Sequence, residues 1–480
     1  MTFDIYNMVF IMPEIVVLSG ACLLILLDLV LDQNQKHIIA YLSLLVILIA
    51  AVGTWIFAGN NSGEILGRMF TIDGYSTFFK MVFYLSTFLA VLLSINYIKV
   101  EGVERGEYYI LMLFALSGMM IMASGTDLLS IYVGLELMAL SIYVLTGFIQ
   151  HSGRSNEAAM KYVILGAFSS GVLLYGISLV YGVTGTTQLS DLAAAVKGQG
   201  SMDTALVLAI IFLVAGFGFK VAAVPFHMWA PDVYEGAPTS ITAFMSVGPK
   251  AASFAAILRV FIGALGSVSV NWITLVAVLS VVTMAVGSIV ALSQTNIKRM
   301  LAYSSIAHAG YALLGLVAGG PDGIAAVMLY MLIYTFMNMG IFGTIILMRK
   351  GNFRGENIED YTGLSKVNKG AALLMLIFLF SLAGIPPTAG FVGKFYIFMA
   401  LIRNGYVPLA VIAVIMSAIS AYFYIRIVML IYMKEPTREF DLARSPANSL
   451  ALAIAVAGTI LIGILPAWFL DMAKSAIFPG

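Results

Sequence analysis

The sequence predicts an all-α polytopic membrane protein of about 14 transmembrane helices, with two inverted five-helix repeats and two proline-broken helices. Three observations lead there. Of 480 residues, 61% are hydrophobic and only 10% charged, with a mean hydropathy of +1.00, whereas soluble chains carry about a quarter charged residues. Apolar stretches long enough to cross a hydrocarbon core of about 30 Å follow one another along the chain. Finally, a span holding proline and lysine at its centre recurs five spans later.

Taken in order with a window of about 19 residues, the spans fall near 9–31, 38–58, 75–98, 108–124, 127–150, 157–182, 204–229 and 238–262, then 271–293, 300–318, 322–349, 371–402, 405–433 and 448–470. The first is read as a retained helix, because MTFDIYNMVF lacks the positive region of a signal peptide. The fourth and fifth are nearly contiguous around Gly125 and Thr126. The expected units are residues 1–107 (three N-terminal helices), 108–265 (first repeat), 266–435 (second, inverted repeat) and 436–480 (a last helix). With the N-terminus outside, fourteen basic loop residues, from Lys36 to Arg444, lie on the cytoplasmic side. Five lie opposite: Arg68, Lys197, Arg259, Arg403 and Lys474. By the positive-inside rule both termini face outward. The polar connection from Arg349 to Gly370 would be an inner docking surface or a plain solvated loop.

A net charge of +1 excludes a nucleic-acid partner. One cysteine, Cys22, and four histidines are too few for an iron–sulfur, haem or zinc framework, so no metal or cofactor is expected in this chain. No phosphate loop, dinucleotide fingerprint or nucleophile–base spacing is present.

The informative residues are the charges that loops do not explain. Six basic residues fall within spans: Lys80, Lys161, Lys220, Lys250, Lys394 and Arg426. Lys80 and Lys161 lie near span ends, where a long side chain can snorkel to the headgroups. The others are deeper. Lys250 lies about 18 Å into its helix at about 1.5 Å per residue, and a charge there usually lines an internal polar path. Glu136, about 13 Å past Asp127, is the acidic residue read as deep, and a carboxylate there wants a cation.

The stretch KVAAVPFHMW, Lys220 to Trp229, adds Pro225 and His227 to its lysine. The span of Ala371 to Ile402 adds Pro386 and Pro387 to Lys394. A proline inside a helix frees a carbonyl that lipid cannot satisfy, and broken helices at matched positions of inverted repeats point to a transport site. In that pairing Glu136 corresponds to His308, and Lys250 to Arg426. Desolvation lowers the pKa of a fully buried lysine by as much as about 5 pH units, and a neighbouring carboxylate restores it. Moving Glu136 relative to Lys220 would therefore load or release a proton. Histidine titrates near neutrality, so His308 and His227 are candidate carriers; for His227, capping of the freed carbonyls is an equal alternative. Tyr303, Ser304 and Ser305 would hold water or simply pack.

Three strings carry a resemblance: GFGFKVAAVPFHMWAPDVYEGAPTSITAF (216–244), NIKRMLAYSSIAHAGY (296–311) and SLAGIPPTAGFVGKF (381–395). They resemble the signature segments of the antiporter-like membrane subunits of respiratory complex I, and the double proline with Gly-Lys-Phe is most similar to the subunit N branch, counterpart of mitochondrial subunit 2. The resemblance implies a Glu136–Lys220 ion pair facing inward in a first half-channel, Lys250 as central relay, His308 as a linking position and Lys394 as exit lysine. Lys161, in EAAMKYVILGAFSSG, is implied as part of the path; Arg426 receives no role. It also implies the energy source, quinone reduction elsewhere in a proton-translocating NADH:quinone oxidoreductase. NADH, FMN, iron–sulfur clusters and quinone would belong to other subunits, and the partners would be other membrane subunits, paralogous antiporter-like ones among them, and lipid. A sodium/proton antiporter subunit of the same fold and a purely structural subunit are the alternatives.

Overall fold

The structure is a computed structural model describing residues 9–58, 63–198, 203–349, 355–436, 443 and 445–478. The expected inner-loop cations Lys350, Arg354, Arg438 and Arg444 lie outside these residues. The chain forms α1 (Met12–Val30), α2 (His37–Ala58), a two-stranded antiparallel hairpin of β1 (Gly63–Ile65) and β2 (Phe70–Ile72), α3 (Gly74–Val100), α4 (Glu107–Ser124), α5 (Leu128–Thr146) and α6 (Gly153–Thr184). There follow α7 (Leu189–Gly198), α8 (Thr204–Val221), α9 (Trp229–Gly236), α10 (Thr239–Leu258), α11 (Ser269–Ala291), α12 (Ile297–Ala318) and α13 (Gly320–Met348). The last helices are α14 (Leu364–Val367), α15 (Lys369–Ala383), α16 (Ala389–Arg403), α17 (Val407–Met433), α18 (Pro446–Ile464) and α19 (Pro466–Ser475).

Thirteen helices among the described residues are long and apolar enough to cross a membrane. The fourteenth expected crossing is α15 with α16, each only 15 residues because the chain breaks between them.

Polar residues in the short connections start the helices. Asp73 accepts from the Ser76 amide at 2.7 Å and Ser76 returns the bond, a capping box for α3. Asp127, Asp203, Asn296 and Asn368 cap α5, α8, α12 and α15 in the same way, each accepting a backbone N–H that would otherwise be unpaired. The near-contiguity at Gly125 resolves into two helices because Gly125 ends α4 in an extended conformation before Asp127 caps α5. The two then pack closely. A Cβ on Gly118 would sit 2.5 Å from the Gly134 carbonyl, so only glycine permits the approach.

At the centre stands α10, buried along its whole length, flanked by the nearly enclosed α12 and α13. Helices α1, α2, α11 and α17 present most of their surface outward, where exposed Leu, Ile and Val suit lipid. Lys250 is thus on the most sheltered helix; the first broken helix, α8 with α9, packs against α10, and the second, α15 with α16, packs against α12 and α13.

Candidate proton-transfer site

Each break is built by a left-handed residue at the end of the first half-helix. Ala222 (φ 59°) ends α8 and Gly384 (φ 85°) ends α15. The loosened backbone is satisfied from outside. The Val224 amide donates to Thr283 Oγ1 on α11 at 2.9 Å, and Trp229 Nε1 donates to the Phe219 carbonyl at 3.0 Å. At the second break the Gly390 amide donates to Ser381 Oγ at 3.0 Å. Lys394 Nζ itself donates to the Leu382 and Ala383 carbonyls at 3.2 and 2.9 Å. Trp229 thus takes the Phe219 carbonyl, while His227 makes a backbone hydrogen bond at Pro225. His227 is half-buried at the break, and among the described residues no hydrogen bond joins it to Lys220, Lys250 or His308.

Lys220, Lys250 and Lys394 are all between 3% and 7% exposed, and each ammonium has its own polar partners, as a buried charge requires. Lys220 Nζ donates to Ser170 Oγ on α6 at 3.2 Å, and Ser170 Oγ donates to Glu136 Oε1 on α5. Glu136 and Lys220 are thus brought together, but through a hydroxyl; they form no ion pair within 4.0 Å. Lys220 is enclosed, whereas Glu136 is half-buried at the α5 surface. Lys250 Nζ donates to Ser305 Oγ at 2.6 Å and to the Ser305 carbonyl at 3.0 Å. One turn along α12, His308 holds two phenols, Tyr330 at Nδ1 (2.6 Å) and Tyr424 at Nε2 (3.3 Å), and Tyr424 is bonded to Ser304. Lys394 also donates to Ser417 Oγ at 2.9 Å and sits over the Tyr311 ring at 5.1 Å. One residue beyond Lys394, Phe395 and Tyr396 begin the lining of a cavity of about 250 Å³ that ends at Asp322, Arg403 and Lys474.

The line Glu136, Ser170, Lys220, then Lys250 with Ser305 and His308, then Lys394 with Ser417, has each lysine bonded to a serine hydroxyl. Among the described residues no hydrogen bond joins its three sections, so a proton passing between them needs water or side-chain motion. Lys161 lies apart from this line. Its Nζ pairs with Asp232 at 2.7 Å and Glu157 at 2.8 Å, and Asp232 is shared with Arg299 at 2.6 Å. Arg426 donates to the Leu292 carbonyl at 3.3 Å.

Three charges depart from the sequence expectation. Lys80 does not snorkel: it is buried against Glu14 at 2.5 Å, and Glu14 is itself buried, unlike the half-buried Glu136. Lys298, expected in a loop, is buried in the first turn of α12 and donates to the Glu235 and Ala237 carbonyls at 2.8 and 2.7 Å. Arg259, also expected in a loop, is buried and pairs with Asp73 at 2.8 Å. In each case a partner far away in sequence turns the side chain inward. Ser305, expected to hold water or simply pack, instead takes the Lys250 ammonium; the hydroxyls of Ser170 and Ser417 carry no sequence signal of their own, since serine is common in membrane helices.

A helical membrane bundle with two broken helices and a buried row of lysines defines the antiporter-like class of ion-translocating proteins. Residues 125–420 match the family described as NADH:quinone oxidoreductase/Mrp antiporter, transmembrane. A relative from Rhizobium meliloti, NADH-quinone oxidoreductase subunit N 2, is 60% identical over 468 residues, covering 98% of this chain and 97% of that one. A chain of respiratory complex I from Thermus thermophilus superposes with a TM-score of 0.81 at 31% identity, over 97% of this chain and 100% of that one. A chain of the Mrp complex from Dietzia reaches 0.84 at 23% identity over 98% and 96%, a likeness of fold. The chain belongs to the NADH:quinone oxidoreductase/Mrp antiporter transmembrane family.

Proposed function

We propose that this chain is the proton-translocating subunit N of a membrane-embedded NADH:quinone oxidoreductase. The carrying observation is the buried row of Lys220, Lys250 and Lys394 with Glu136 at one end, in a chain 60% identical to a subunit of that name. Electron transfer, with NADH, flavin, iron–sulfur clusters and quinone, belongs to partner subunits, and this chain converts the resulting change into proton movement. In this reading Glu136 and Lys220 load the proton, Lys250 relays it past His308, and Lys394 releases it into the cavity toward Asp322. Pro225, Pro386 and Pro387 keep the two breaks open. Moving one charge against the potential costs about 2.3 kcal/mol per 100 mV, so the line must be gated, and its three unconnected sections suit a gate. The units 108–265 and 266–435 act as the two halves, related by inversion.

The ends holding Lys161, Arg299 and Lys298 face the cytoplasm, and both termini face outward. Removing the buried Arg259 and Lys298 from the loop cations leaves the sign of that bias unchanged. The α5 surface is where a neighbouring membrane subunit fits. Glu136 lies there between Val133 and Leu140, each 60% exposed, and a carboxylate at that depth is costly against lipid.

The test uses the assembled complex in membrane vesicles. Lys394→Ala and Lys220→Ala should retain NADH:quinone reduction while losing most proton uptake. Full pumping by either variant removes that lysine from the path. Sodium/proton exchange without any redox substrate would instead favour the antiporter reading.

A further inference from the structure

We propose that Ser170 is itself a proton-transfer residue, the hydroxyl through which Lys220 and Glu136 exchange a proton. The proposal rests on the reading of Glu136 and Lys220 as the loading end. The geometry sets the direction of each bond. An ammonium can only donate and a carboxylate can only accept, whereas a hydroxyl does both. Ser170 Oγ accepts from Lys220 Nζ at 3.2 Å and donates to Glu136 Oε1. The three groups come from three helices, α8, α6 and α5, and Ser170 is buried where Glu136 is not.

Two linked proton transfers neutralise this arrangement. A Lys220 Nζ–H bond breaks as a Ser170 Oγ–H bond forms, while the proton Ser170 already held passes to Glu136 Oε1. The serine ends as the same hydroxyl, turned round, and the products are a neutral amine and a neutral carboxylic acid. No oxidant or co-reactant is needed. In a tight ion pair the charges would stabilise each other strongly. With a hydroxyl between them the attraction weakens with distance, so less electrostatic energy opposes the exchange than in a contact pair. A small movement of α6 relative to α5 or α8 then decides which form is held, with no need to separate Glu136 and Lys220 by a large distance.

Ser170→Ala, Ser170→Cys and Ser170→Thr in the assembled complex provide the test, read as protons moved per NADH oxidised and as the protonated-carboxyl band in infrared difference spectra. Ser170→Thr keeps the hydroxyl and should keep both signals. Ser170→Ala should lose the band, which Glu136→Gln should also remove, and most of the pumping, while NADH oxidation continues. Wild-type pumping and an unchanged band in Ser170→Ala overturn the proposal. If Ser170→Ala fails to assemble, the comparison of Thr with Cys decides, because a thiol is a weak donor and acceptor of similar size: equal pumping by the two overturns the proposal, and loss in Cys alone supports it. Lys220→Ala run alongside separates the levels. Lost pumping there with normal pumping in Ser170→Ala sinks the serine relay alone, and normal pumping in Lys220→Ala sinks the site reading itself.

Discussion

Lys298 shows how a single side chain can finish a helix that is too short to finish itself. Helix α9 has eight residues, so its last carbonyls lack intrahelical partners, and the Lys298 ammonium takes those of Glu235, in its last turn, and Ala237, just beyond it. A cation at that position also opposes the helix dipole. Replacing it by an apolar chain of similar length leaves two buried carbonyls unpaired, at about 1–3 kcal/mol for each. Lys298→Met should therefore lower the thermal midpoint of the assembled complex clearly, with Lys298→Arg recovering part of it; an unchanged midpoint in Lys298→Met would show that water replaces the lysine. The sequence places Lys298 beside Arg299 at the start of a span, which reads as a loop pair. Nothing local distinguishes the inward residue from the half-exposed one, because the carbonyls that select Lys298 belong to α9.

At the scale of elements, the breaks do more than interrupt helices. Gly384 turns back on the lysine of its own span: a Cβ added there would lie 3.0 Å from Lys394 Cδ and 3.3 Å from Nζ. Gly384→Ala should thus combine a backbone penalty of about 1–3 kcal/mol for a left-handed non-glycine residue with displacement of Lys394, lowering stability and proton pumping together. Gly185 supplies the control. It is also left-handed (φ 72°) but has open space at its Cβ, so Gly185→Ala should show the stability loss with pumping intact. Equal pumping by the two alanine variants would separate Lys394 from the geometry of the break. Pro225, Pro386 and Pro387 made both breaks legible in the sequence, and the apolar lengths made fourteen crossings legible. The hydroxyl between Glu136 and Lys220 was not legible. Ser170 is one of two serines in AFSSG, and only the packing of α6 between α5 and α8 selects it. The same holds for Arg259 with Asp73 and Lys80 with Glu14, where pairs distant in the chain override the tendency of long cations to reach for headgroups.

Across the whole molecule, the end that carries Lys161 is tied by charge. Asp232 on α9 takes Lys161 from α6 and Arg299 from α12, so the helix bearing Ser170 and the helix bearing His308 meet on one carboxylate. Burial pushes the Asp232 carboxyl up, but the hydrogen bonds and charges of Lys161 and Arg299 outweigh it and hold it below its ordinary value. A carboxylate depressed on folding contributes stability above its unfolded pKa, about 3.9, and loses it as pH falls through the lower folded value. The thermal midpoints of the wild type and Asp232→Asn should accordingly differ by a constant amount between about pH 5 and 8 and converge only below about pH 4. A difference that varies across the neutral range would assign the titration to another group. At the opposite end, Glu14 on α1 and Lys80 on α3 form a buried pair before the 125–420 region begins. Breaking such a pair from one side costs about 3–5 kcal/mol, while replacing both members by apolar groups is often neutral. Glu14→Gln or Lys80→Met alone should reduce the amount of chain recovered in the membrane, and the double change should restore it. The pair also bears on biogenesis. Helix α1 leaves the ribosome carrying a carboxylate whose cation, Lys80 on α3, has yet to be synthesised, so this contact closes only after the third helix has been made.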